Sequence, residues 1–243
     1  MRFCGLSIAD PVPDANTLWD FREALIAAGA FETLFERLDQ AINDAGFIPM
    51  GGQIVDASLV AAPGQRNTQD EKAAIKAGKT ADEIWPDEPA KAAQKDTDAR
   101  WTVKTSKGKP KADGSVQSDL NIPAFGYKTH ISIDVEHGFI RRQKVTDAAA
   151  HDGDRLREGL VDPTNTASGV WADTAYRSAA NEQFLAARGK VSRIHRKKPA
   201  GKQMPKRTAK ANAKKSKVRA CIEHVFAHQK ERMRLFIRNV GLK

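Results

Sequence analysis

Two spacings of apolar residues divide the chain. Residues 14–46 keep a helical one: "DANTLWDFREALIAAG" opens on cap-type residues and ends at Gly29. "FETLFERLDQAINDAG" sets Phe31, Leu34, Phe35, Leu38 and Ile42 three and four apart, then stops at Gly46. Beyond residue 50 the period falls to two. "GGQIVDASLV" (51–60) predicts a short strand with Asp56 inside it. In "FGYKTHISIDV" (125–135), Phe125, Tyr127, Thr129, Ile131, Ile133 and Val135 alternate with polar residues, as in a half-buried strand. "EHG" turns the chain into a return strand, "FIRRQKVTDA" (139–148). "HDGDRLREGL" begins a helix with Asp152 or Asp154 as cap, and "GVWADTAY" (169–176) is a strand holding Asp173. "SAANEQFLAARG" is a helix, "KVSRIHR" a last short strand, and "KVRACIEHVFAHQK" (217–230) a closing helix.

From about 61 to 120 the pattern dissolves into dense mixed charge, which predicts a long insertion with one short helix near 70–77. The element order is thus β, insertion, β, β, α, β, α, β, basic loop, α. It predicts an α/β protein with a ribonuclease-H-like mixed sheet flanked by helices over 47–243, preceded by a small helical segment, 1–46.

Charge narrows the partner. The 243 residues carry a formal net charge of +10, which favours a polyanion over an acidic small molecule. Residues 188–219 hold 14 Lys/Arg and no Asp or Glu. We read them as a basic loop tracking DNA phosphates through Arg193, Arg196, Lys197, Lys198, Lys214, Lys215 and Lys217. No apolar run is long enough to span a membrane. Cys4 and Cys221 lack the spacing of a disulfide framework or zinc site, so a reduced, cytoplasmic setting is expected.

The carboxylates change the picture most. Aspartate is disfavoured inside apolar strands, and an unpaired buried carboxylate costs several kcal/mol, so Asp56 and Asp173 each ask for a reason. A sheet-face carboxylate turned to water is one. A metal ion is another: phosphoryl transfer on nucleic acid commonly uses two divalent ions about 4 Å apart, held by hard oxygen ligands. On the closing helix Ile222, Val225, Phe226 and Met233 form one stripe. Glu223 lies at its edge with Arg219 and Lys230 on the same side, and an ion pair with Arg219 would also account for it. Other candidates weigh less. Asp134 falls on the polar face of its strand and reads as surface; "HDGD" reads as capping. His224 and His228 have zinc-capable spacing but no third ligand. Trp85 and Trp101 read as anchors of the insertion, and Cys221 as a small packing residue.

These residues carry a resemblance. "VRACIEHVFAHQK" fits the R-x3-E-x6-K signature (Arg219, Glu223, Lys230) of DDE transposases from bacterial insertion sequences, closest to the IS-four and IS-five grouping. "IVDASLV" and "VWADTAYRS" resemble that family's two aspartate strands, and "RNTQDEKAAIKAG", "QKDTDARWT" and "AAAHDGDRL" resemble further segments. The resemblance implies a metal-binding triad of Asp56, Asp173 and Glu223 holding two Mg²⁺ (or Mn²⁺). It also implies duplex DNA as partner and substrate, self-association on DNA, a nucleoid-associated bacterial setting, and DNA contacts or support of the acid by Arg219 and Lys230. Two departures stand out. Ser216 occupies a position where the signature usually has Tyr, and the chain starts inside a segment that family members carry after a helical N-terminal region. A truncated copy is therefore expected. A non-catalytic DNA-binding remnant and another ribonuclease-H-like nuclease are the alternatives.

Overall fold

A computed structural model describes residues 5, 7, 9–106, 108, 118–235 and 240–241. Cys4 and most of the linker at 107–117 lie outside the described residues. The chain forms two compact units, Met1–Ile48 and Pro49–Leu242. The first is a helical hairpin, α1 (Ala15–Ala27) and α2 (Ala30–Asp44). Asp14 caps α1 by accepting the Thr17 N–H at 2.7 Å, and Gly29 makes the left-handed turn between the helices (φ 57°).

The second unit is built on a six-stranded sheet. Its strands are β1 (Gln53–Ala61), β2 (Arg100–Ser106), β3 (Leu120–Asp134), β4 (Ile140–Asp147), β5 (Gly169–Trp171) and β6 (Val191–Ser192). The order is β2-β3-β1-β5-β6, with β4 also on β3. β3 pairs antiparallel with β1, β2 and β4, whereas β1–β5 and β5–β6 are parallel, so the sheet is mixed. The β3 backbone crowds β1 at Gly126 (φ 149°), where a Cβ would sit 2.2 Å from the Val60 carbonyl oxygen. Only glycine fits there.

Helices cover both faces of this sheet. On one, α8 (Lys206–Ala227) lays Ile222 and Phe226 against Ile54, Ile131 and Ile133. On the other, Val55 and Val170 pack with Leu156 and Leu160, which follow the short helix α6 (Asp152–Arg155), and with Leu185 of α7 (Ala179–Ala186). β3 is therefore not half-buried. His130, Ser132 and Asp134, its polar alternates, are as inaccessible as Ile131 and Ile133. Asp134, expected at the surface, is buried because Arg141 reaches it from β4 (3.2 Å) and the His137 and Phe139 N–H groups donate to it at 2.6 and 3.1 Å.

Other expectations shift as well. The basic run is a loop only up to Pro205: Lys206–Arg219 belong to α8, because an Ala/Lys/Arg-rich stretch free of Gly and Pro favours helix whatever its charge. Asp173 lies beyond β5, capping a short turn (Thr174–Tyr176) by accepting the Ala175 N–H. His151, not Asp152 or Asp154, occupies the cap position of α6. Met233 is exposed rather than part of the helix stripe, and Cys221 is exposed rather than packed.

The insertion is more ordered than its charge suggests. It contains α3 (Gln69–Lys76), the one-turn helices α4 (Ala81–Ile84) and α5 (Pro89–Ala92), and β2. Trp85 does not anchor it to the sheet; it centres a separate small core with Ile75 and Ala92, its indole N–H donating to Glu71. Trp101 is largely exposed. The insertion is tied to the sheet by β2, which pairs with β3, by Ala99 packed with Phe125 and Tyr127, and by the Tyr127 hydroxyl, 2.7 Å from both oxygens of buried Asp96.

Candidate active site

Strand register brings the two aspartates together. Parallel pairing sets Gln53 beside Val170 and Ile54 beside Trp171. Two residues further along each chain come Asp56 and Asp173, on the sheet face that α8 covers, since side chains alternate with period two. The β5–β6 register continues the row. Val170 is level with Ser192, and the His195 N–H donates to the Ala172 carbonyl at 3.1 Å, which puts His195 alongside Asp173. Adjacent strands run about 4.8 Å apart, so Asp56, Asp173 and His195 form a polar row at one end of the sheet.

The third carboxylate approaches from above. Packing of Ile222 and Phe226 on β1 and β3 fixes the rotation of α8, which turns Arg219 inward and leaves Glu223 mostly exposed. Arg219 donates one guanidinium nitrogen to Asp56 Oδ2 at 2.5 Å and another to Glu223 Oε1 at 2.9 Å. It thus joins the strand acid to the helix acid. The i,i+4 pair expected from sequence exists, and the same arginine reaches a residue 163 positions away.

Burial dominates the electrostatics. Desolvation pushes the Asp56 carboxyl up to about 6, the neighbouring Asp173 charge adds to the rise, and the Ala57 N–H and Arg219 hold it back. Burial, Arg219 and Lys215 hold His195 below its ordinary value, with Asp173 opposing. Sequence reasoning missed His195. Its one signal was its place in "KVSRIHR", which reads as a short strand but says nothing of what lies beside the imidazole.

The basic residues divide. Arg193, Arg196, Lys197, Lys198, Lys214 and Lys217 are exposed. Lys215 is committed internally, its ammonium donating to the Ile194 carbonyl at 2.8 Å. Lys230 lies past the end of α8 and has no ion pair with either acid among the described residues; burial and then Lys104 on β2 lower its pKa.

Among the described residues, no three His, Cys, Asp or Glu side chains gather closely enough to hold a metal ion. The donor chemistry of Asp56 and Asp173 still fits a divalent cation: two carboxylates stand on neighbouring chains, one of them strained as an anion by burial and by its neighbour. Glu223 is engaged by Arg219 and fits only as a third ligand once that contact loosens.

The protein is thus of the mixed α/β class, its sheet flanked by helices and carrying two neighbouring aspartates and a helix glutamate beside a basic surface. The family model described as "Transposase DDE domain" matches residues 49–240, and the chain belongs to that family. No solved structure matches the chain.

Proposed function

We propose that this chain carries the ribonuclease-H-like catalytic domain of a DNA transposase of the insertion-sequence type, with Asp56, Asp173 and Glu223 as its carboxylate set. The observation that carries the reading is the β1–β5 register, which sets two strand acids side by side under a helix that presents the third. In this reading the domain cleaves the phosphodiester at transposon ends, leaving a 3′-hydroxyl, and directs that hydroxyl onto a target strand. Two Mg²⁺ (or Mn²⁺) ions, when bound, supply activation of the attacking oxygen and stabilisation of the leaving one.

The protein's own residues do the rest. Asp56, deprotonated against the cost of burial, holds charge where a cation is most favourable. Arg219 keeps Asp56 and Glu223 in line until substrate arrives, and its release frees both acids. The exposed lysines and arginines of 193–217 hold the DNA backbone through sequence-independent contacts. Self-association on paired DNA ends belongs to the same reading.

The test is cleavage of linear duplex DNA bearing the element's ends under Mg²⁺ or Mn²⁺. Activity should vanish in Glu223→Gln and Asp56→Asn while DNA binding survives. Cleavage that persists in Glu223→Gln would refute the assignment. A second reading, a DNA-binding chain without cleavage, draws on the double engagement of Arg219, which occupies two of the three acids. Binding with no cleavage by the unmodified chain under either metal selects it.

A further inference from the structure

Away from the candidate acid triad, the insertion and the sheet together line an open cavity of about 600 Å³. Phe125 in its wall is six residues along β3 from Ile131, the partner of Asp56, or roughly 20 Å at strand spacing. The cavity is therefore separate from the acid row.

Its walls combine aromatic rings, cations and two aspartates: Asp96, which accepts from the Tyr127 hydroxyl, and Asp147, which accepts from the Ala149 N–H. Trp101 and Phe125 form an aromatic corner, with ring centroids 5.4 Å apart and planes inclined by 45°. Trp101 is 55% exposed, so its indole retains a free face. Phe125 itself is nearly buried. Opposite them, α3 presents Lys72 and Lys76, one turn apart, and neither has an ion-pair partner among the described residues. Arg100 completes the cationic side. Its guanidinium is fixed by the carbonyls of Thr97, Ala99 and Ile75 at 2.5, 3.0 and 3.2 Å, contacts that orient the group without neutralising it. Gln65 lines the cavity too, and its amide oxygen has no hydrogen-bond partner.

We propose that this cavity binds one unstacked nucleotide, its base against Trp101 and its phosphate facing Lys72, Lys76 and Arg100. An aromatic shelf beside three cations, which outnumber the two aspartates of the lining, suits a flat heterocycle attached to an anion. A purely apolar ligand would leave those charges desolvated and unpaired. The volume is that of an ordinary small-ligand pocket, large enough for one nucleotide unit. The nucleotide can come from a DNA strand or from solution. The inference rests on the proposed function only for the first source, and needs none of the phosphodiester chemistry.

The test uses the whole chain in EDTA, so that cleavage contributes nothing. Three probes are titrated: an oligothymidylate carrying one 2-aminopurine, the same strand with an abasic site there, and 2-aminopurine deoxyriboside 5′-monophosphate. Seating of the base should quench 2-aminopurine fluorescence. The base-bearing strand should bind at least roughly tenfold more tightly than the abasic one. Trp101→Ala should remove that advantage and Trp101→Phe keep most of it. The exposed pair Lys72→Ala/Lys76→Ala should weaken both base-bearing probes. Quenching by the strand alone assigns a strand-delivered base, and Trp101-dependent quenching by the free nucleotide assigns a mononucleotide site. Equal binding of the abasic strand, or a signal indifferent to both Trp101→Ala and the lysine pair, overturns the proposal. Glu223→Gln should quench normally, so that failure of the catalytic reading and failure of this one are distinct results.

Discussion

Replacing Asp56 by Asn should make the folded protein more stable at neutral pH, although Asp56 is the buried acid of the candidate site. Asn is nearly isosteric with the protonated carboxyl and carries no charge to desolvate. In the fold the Asp56 carboxyl titrates at about 6, against 3.8 for an ordinary aspartate. A raised carboxylate pKa means that the folded state binds the proton more tightly than the unfolded state. Its penalty is absent below about 3.8, grows as the pH rises through 6, and is complete above that. The difference corresponds to about 3 kcal/mol at pH 7.5. For a domain of this size, that is roughly 6–12 °C in Tm. The measurement is thermal or urea unfolding of the unmodified chain and of Asp56→Asn between pH 4 and 8, without divalent metal. The comparison between variants matters because His130 masks the effect in the unmodified chain. Burial holds that imidazole at about 4, so His130 makes stability rise from pH 4 to 6.5 while Asp56 makes it fall across much of the same window. The advantage of Asp56→Asn should be largest above pH 7 and shrink towards zero near pH 4. Added Mn²⁺ should raise the Tm of the unmodified chain more than that of the variant, because a ligand stabilises only the form that binds it. A variant less stable at pH 7.5, or a difference that does not change with pH, would refute the reasoning.

Three further outcomes are expected. Arg141→Leu should cost about 3–5 kcal/mol in urea unfolding by leaving Asp134 charged and buried without its partner; a cost under about 1 kcal/mol would mean that the two backbone N–H donors suffice. Trp85→Ala should remove about 3–5 kcal/mol of local stability from the small core of the insertion, exposing residues 69–95 to limited proteolysis while amide exchange in β1 and β3 stays slow. Neutralising Lys197 and Lys198 together should weaken duplex binding uniformly across sequences and reduce the salt slope by about one for each phosphate left without its cation; an unchanged slope would remove these residues from the DNA surface.

Much of the fold is legible from local pattern. Alternation marks β1, the central part of β3 and β4, and helical spacing marks α1, α2, α7 and the end of α8. The departures from that pattern share a cause: charge dictates neither exposure nor disorder. Lys206–Arg219 form helix because backbone propensity, not charge, decides that stretch. Asp134 is buried because Arg141 on the next strand reaches it, and no window of sequence reports that. The mixed-charge insertion holds helices because Trp85, Ile75 and Ala92, far apart in a polar stretch, find each other.

By itself the sequence determined the types of the parts: acids set in apolar strands, a glutamate four residues after an arginine on a helix edge, and an excess of positive charge suited to a polyanion. Only the tertiary structure decided which parts meet. Strand period tells which face a side chain takes but not which strand lies beside it. Neither the Asp56–Asp173–His195 row nor the reach of Arg219 to Asp56 across 163 residues could therefore be read locally. The raised pKa of Asp56 follows for the same reason. Desolvation depends on what covers a group, and the cover, α8, comes from the far end of the chain.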